Sequence, residues 1–163
     1  MVLSITQEQH INTIDNNIRA EHLIRQTKVL NIARLAKMLV NLFGLDAQFE
    51  KVPKKFEGKE IEMHLKELDG YITFIMTSDR GKFECRVEKA SKPIAKIIIM
   101  VKEKEILKVI SEIIRSKANL FGIMKLLKFI IPGKAKIKGD LRASLKLVKC
   151  LMIGKNDVYK KRK

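Results

Sequence analysis

Gly133-Lys-Ala-Lys-Ile-Lys-Gly-Asp-Leu-Arg-Ala-Ser-Leu-Lys-Leu-Val-Lys-Cys-Leu-Met152 changes period at its centre. In the first half Ala135 and Ile137 alternate with Lys134, Lys136 and Lys138, the signature of a short strand with one wet face. Gly139 allows a sharp change of direction, and Asp140 is a favoured N-cap whose carboxylate can accept from the first free amides of a helix. Beyond it Leu141, Leu145, Val148 and Met152 fall on one helical stripe, which Leu147 and Leu151 widen, with Lys146 and Lys149 on the other side. The stretch predicts an edge strand turning into a helix whose apolar stripe lies over a sheet.

Upstream, the same two periods divide the chain. No Gly or Pro precedes Gly44, and Ile11, Ile14 and Ile18 repeat at helical spacing. Val29, Ile32, Ala33, Ala36, Leu39, Val40 and Phe43 form a broad apolar face, and Asn16-Asn17 predicts a break between two helices. After a polar connector with Pro53 and Gly58, Ile61, Met63 and Leu65 alternate with polar residues. Asp69-Gly70 signals a turn into a second strand, residues 71–77, and Ser78 to Gly81 a hairpin into a third, residues 82–88. Residues 90–93 read as a loop, and the apolar run 94–101 as a central strand. Helices are expected at 102–116 and 119–131, ended by Pro132-Gly133. Grouped strands flanked by helices predict an α+β fold, with an antiparallel-rich sheet covered on one face.

Charge narrows the function. Lys and Arg total 34 against 18 Asp and Glu, a net +16. Residues 1–50 are neutral, with five basic and five acidic side chains, whereas residues 134–163 carry eleven basic ones against Asp140 and Asp157. Such asymmetry points to an anionic partner, either nucleic acid or an acidic membrane surface. From residue 129 onward the only aromatic residues are Phe129 and Tyr159, too few for base stacking, so nucleic acid is disfavoured. No apolar run reaches the roughly 18 residues of a membrane span, and the first residues lack a secretory pattern, so a cytoplasmic location is expected. Cys85 and Cys150 then read as reduced core residues.

Catalytic chemistry is not indicated. His10, His22 and His64 are scattered, without metal spacing, and no nucleophile has an identifiable base. Asp69, Asp79 and Asp140 sit at turns or a cap. The reading is a non-enzyme without metal or cofactor. Its distinctive property is apolar excess: three helices rich in Ile, Leu and Met over a small sheet can enclose a ligand cavity.

Residues 69–152 resemble the sterol carrier protein 2 family. The resemblance rests on Asp69-Gly-Tyr-Ile-Thr-Phe-Ile-Met-Thr-Ser-Asp-Arg-Gly-Lys-Phe-Glu-Cys-Arg-Val87, on Ala95-Lys-Ile-Ile-Ile-Met-Val101, on Glu105-Ile-Leu-Lys-Val-Ile110, and most of all on Gly133-Lys-Ala-Lys-Ile-Lys-Gly-Asp-Leu-Arg-Ala-Ser-Leu-Lys-Leu147. It implies a five-stranded sheet with helices on one face and a hydrophobic tunnel that holds an acyl chain or sterol-like lipid without catalysis. By position, Phe121, Met124, Leu127, Ile131, Leu141, Leu145 and Val148 would line that tunnel. The expected organisation is a helical extension at 1–45, a lipid-binding domain at 46–155 and a basic tail at 156–163. Lys125, Lys128, Lys146 and Lys149 would face an anionic membrane, and Ile11, Ile14 and Ile18 would offer a homodimer contact. The competing reading is a basic nucleic-acid-binding or helix-mediated interaction module.

Overall fold

A computed structural model describes residues 3–43, 53–78, 84–106, 108 and 133–151, with side chains of the first helix described at 15–38 and 40. Helix α1 runs from Leu3 to Phe43. Five strands follow: β1 (Glu60–Leu65), β2 (Gly70–Ile75), β3 (Glu84–Arg86), β4 (Ala95–Ile99) and β5 (Ala135–Gly139). Helix α2 spans Leu141–Cys150. The α+β class and the five-stranded sheet are as expected.

The sheet order is β3-β2-β1-β4-β5. Three neighbour pairs are antiparallel and one, β1 with β4, is parallel. Two expectations are corrected here. The central strand is β1, not the more apolar β4, and the chain does not break at Asn16-Asn17 but stays helical through them. Asn is a modest helix former rather than a breaker, and neither residue is followed by Gly or Pro. The lysine-bearing β5 is an edge strand, as its alternation predicts.

Register sorts the side chains. Ile61, Met63 and Leu65 of β1 align with Phe74, Ile72 and Gly70 of β2 and with Ala95, Ile97 and Ile99 of β4. Cys85 and the pair Ala135 and Ile137 extend this face to both edges. Both helices pack on it. Val29, Ile32, Ala33 and Val40 of α1 belong to the same core as Ala143, Leu147 and Cys150 of α2, so the core takes residues from both sides of position 45. The approach of α1 is close enough to require Gly70, since a Cβ there would overlap the Val29 side chain. Cys85 donates its S–H to the Ala33 carbonyl, 3.6 Å away. Residues 15–27 of α1 stand clear of this core, with Ile18, Leu23 and Ile24 more than half exposed.

The opposite face carries Glu60, Glu62, His64, Tyr71, Thr73 and Lys96. It is not left to solvent. The chain leaves β3 at one edge and enters β4 beyond β1, so residues 87–94 must cross β2 and β1. Polar side chains of this face tie the crossing segment down. Thr73 Oγ1 donates to the Glu88 carbonyl at 2.8 Å, and Glu62 Oε2 accepts from the Ala90 amide at 3.1 Å. Glu60 Oε2 accepts from Ser91 Oγ and the Lys92 amide, each at 3.4 Å, and its carbonyl accepts from the Ile94 amide at 2.9 Å. Lys96 Nζ lies 3.1 Å from Glu62 Oε1, so the 2 %-exposed carboxylate is paired as well as hydrogen-bonded. On the same face His64 stacks on Tyr71, with ring centroids 4.4 Å apart.

Candidate functional site

The strand-to-helix unit that opened the sequence positions the most distinctive surface. Gly139 has φ +83° and lies flat against the start of β4, where an added Cβ would sit 2.5 Å from the Ile94 carbonyl oxygen. The same carbonyl accepts from the Asp140 amide at 2.9 Å. Asp140 Oδ1 then accepts from the Ala143 amide at 3.0 Å, capping α2 as the residue type predicts. The turn and the cap together set the direction of α2 over the sheet.

The face of α2 that meets the sheet is a correction. It consists of Ala143, Ser144, Leu147 and Cys150, with Val148 and Leu151 packed at its margins. Leu141, expected on the inward stripe, is 53 % exposed. Leu145 is half-buried and turned toward the turn of 3₁₀ helix at Lys54–Phe56. The helix carries two apolar stripes, and the sequence alone does not say which of them meets the sheet. Ser144 can lie inward because its hydroxyl donates to the Asp140 carbonyl at 3.2 Å.

Between Leu145 and the 3₁₀ turn lies a groove of about 350 Å³. Its floor is Pro53, Phe56 and Leu145, and its rim is Lys55, Arg142, Lys146 and Lys149. Phe56 is almost fully buried and anchors the turn, whose amide–carbonyl closure from Phe56 to Pro53 is 2.8 Å. Lys55 Nζ stands 4.8 Å from the Phe56 ring centroid, so the cation covers the ring. The nearest carboxylates by sequence are engaged elsewhere. Asp140 caps α2, and Glu57 accepts from the Ser78 amide at 2.9 and 3.1 Å. An apolar floor below a cationic rim suits an amphiphile with an acidic end.

Of the predicted lining residues, Leu145 forms part of this groove, Val148 packs at the core margin and Leu141 is on the outer surface. Phe121, Met124, Leu127 and Ile131 lie outside the described residues, as do Lys125 and Lys128. Sequence reasoning missed Pro53, Lys55 and Phe56. Their segment reads as a polar connector, and the only available signal was one aromatic residue between lysines and Glu57. A second, smaller recess of about 160 Å³ lies between α1 and the β1–β2 turn, with His22, Gln26, Asp69 and Tyr71 in its lining. His22 there is hydrogen-bonded to Gln26 at 2.8 Å.

Among the described residues no group of three His, Cys, Asp or Glu side chains could hold a metal, and no helix is long and apolar enough to cross a membrane. Both cysteines are free thiols. Burial pushes the Cys150 thiol up to about 11, against a smaller opposing pull from Lys146, and burial also raises Cys85. The proton is therefore retained on Cys150 at neutral and mildly alkaline pH, and the attacking thiolate at pH 8 is only about a thousandth of the population. We expect an aromatic disulfide reagent at pH 8 to modify Cys150 only as the protein unfolds. Rapid modification of Cys150 in the folded protein, located by peptide mass mapping, would contradict that packing.

No protein-family model matches the chain, and no curated protein matches it. Among solved structures it is similar to a UbiJ-SCP2 ubiquinone synthesis protein, at 12 % identity over 76 % of this chain and 87 % of the other, with a TM-score of 0.48. It is also similar to part of the stereoselective inverting sec-alkylsulfatase Pisa1 from Pseudomonas sp., at 16 % identity over 57 % of this chain and 12 % of that enzyme, with a TM-score of 0.37.

Proposed function

We propose that this protein is a non-catalytic lipid-binding module that holds and transfers an acyl or sterol-like ligand. The observation that carries the reading is the groove between the 3₁₀ turn and α2, an apolar floor flanked by four cations. Apolar surface supplies the binding free energy, at roughly 25 cal/mol per Å² covered, and the rim orients an acidic end. The resemblance of residues 69–152 to the sterol carrier protein 2 family supports the same reading, and so does a five-stranded sheet with α1 and α2 on one face. Nucleic acid would engage the same cations, but the groove offers no exposed ring for stacking, since Phe56 is 5 % exposed.

Native mass spectrometry of gently purified protein, with displacement of a fluorescent fatty-acid probe, tests the proposal. Co-purifying lipid and saturable probe binding are expected. Leu145→Arg places a charge on the groove floor at a half-buried position, and is expected to weaken probe binding at least about tenfold while circular dichroism stays that of the parent. Unchanged affinity would remove the groove from the site. Failure to take up any lipid from a total extract would sink the function.

A further inference from the structure

The outer surface of α2 is built in two adjoining stripes. Arg142, Lys146 and Lys149 repeat at four and three residues and so lie in one line along the helix. Leu141 and Leu145 repeat at four in the neighbouring line. Neither line faces the sheet, because Ala143, Leu147 and Cys150 already do. Lys55 prolongs the cationic line on the far side of the groove. Among the described residues no carboxylate is paired with any of these four cations. A helix with cations beside an exposed leucine, lying along the surface of a chain of net charge +16, has the form of an element that rests in a membrane interface.

We infer that this face of α2, with Lys55, docks the protein on an anionic lipid bilayer so that the groove opens onto the membrane surface. The inference rests on the lipid-binding reading and adds the partner to it. Both stripes are used: the cations sit among acidic headgroups, and Leu141 and Leu145 reach toward the acyl boundary. A nucleic acid would satisfy the cations and leave Leu141, at 53 % exposure, with no apolar neighbour to cover it. The geometry therefore favours a surface that is acidic outside and apolar beneath.

The test must separate this face from overall charge, because any chain at +16 adsorbs to anionic vesicles to some degree. Two variants of equal net charge do so: Arg142→Glu, Lys146→Glu, Lys149→Glu on α2, and Lys89→Glu, Lys136→Glu, Lys138→Glu on the opposite sheet face. Co-sedimentation is measured with phosphatidylcholine vesicles containing phosphatidylserine. The α2 variant is expected to partition about a hundredfold more weakly than the parent, and the control less than about tenfold. The chain contains no Trp, so Leu141→Trp adds a single indole, whose emission is expected to shift to the blue on these vesicles, with no shift for Lys136→Trp. Equal losses in the two charge variants, or an unshifted Trp at 141, would overturn the docking face. So would an α2 variant that loses binding to duplex DNA while keeping its vesicle binding. Fatty-acid probe binding in vesicle-free solution is read on the same proteins. A chain that docks but takes up no probe fails as a carrier and stands as a docking module, and one that takes up probe without docking does the reverse.

Discussion

Gly139→Ala is expected to lower the unfolding free energy by about 4 kcal/mol. Two costs combine. The backbone at φ +83° is left-handed, which costs an L-residue roughly 1–2 kcal/mol. The new Cβ would also meet the Ile94 carbonyl oxygen at 2.5 Å and the Ala95 Cα at 3.1 Å. Both are backbone atoms of a paired strand, so no side-chain rotation relieves the overlap, and overpacking of that kind costs about 1–3 kcal/mol. The only escape is to move β5 from β4, which strains the Asp140 amide bond to the same carbonyl and the capped start of α2. Urea unfolding followed by circular dichroism measures the loss. Since a domain of this size has only about 5–15 kcal/mol to lose, the variant should also show a visibly lower midpoint. A loss below about 1 kcal/mol would mean that the turn relaxes freely and does not set the direction of α2.

Glu62→Ala is expected to cost about 3 kcal/mol, and Glu62→Gln about 1 kcal/mol. The two differ in what they leave behind. Alanine removes the acceptor of the buried Ala90 amide, which then has no partner, and opens space under the crossing segment. Glutamine keeps the shape and can keep that acceptor while losing the charge opposite Lys96. Lys96 is 40 % exposed at its side chain and can turn to water, so the lost ion pair is the smaller part. Hydrogen exchange at the Ala90 amide should quicken in the alanine variant before any other core amide does. Equal destabilisation by the two substitutions would assign the effect to charge alone and contradict the clamp.

How much of this was legible in the residues can be judged element by element. The β5–α2 unit was readable because each of its signals is local: a two-residue alternation, a Gly at the turn and an Asp that caps the amide three residues on. The central place of β1 was not readable. Its alternation of Glu60, Glu62 and His64 with Ile61, Met63 and Leu65 looks half-solvated, and half-solvated strands read as peripheral. In the fold, the polar side of β1 is roofed by the segment from β3 to β4, so its carboxylates serve that crossing instead of water. The apolar run of β4 marks burial correctly but not position, since it is flanked by β1 and by the edge strand β5. The continuity of α1 through Asn16-Asn17 is not legible locally, because two adjacent weak helix formers read as a stop.

For the candidate site the division is similar. Residue types and spacing alone determined the secondary structure around Gly139, the excess of positive charge toward the C-terminal end, and the presence of more apolar surface on residues 141–152 than one core contact uses. These are properties of the local chain and of composition. Only the tertiary structure decided which stripe of α2 is buried, because that depends on the angle at which Gly139 and Asp140 deliver the helix to β4. It also brought Pro53, Lys55 and Phe56 beside Leu145, across some ninety residues of sequence. No periodicity encodes that meeting: it follows from the β1–β4 and β4–β5 pairings, which set the approach to β1 and the exit from β5 side by side and so bring the apolar floor and its flanking cations together.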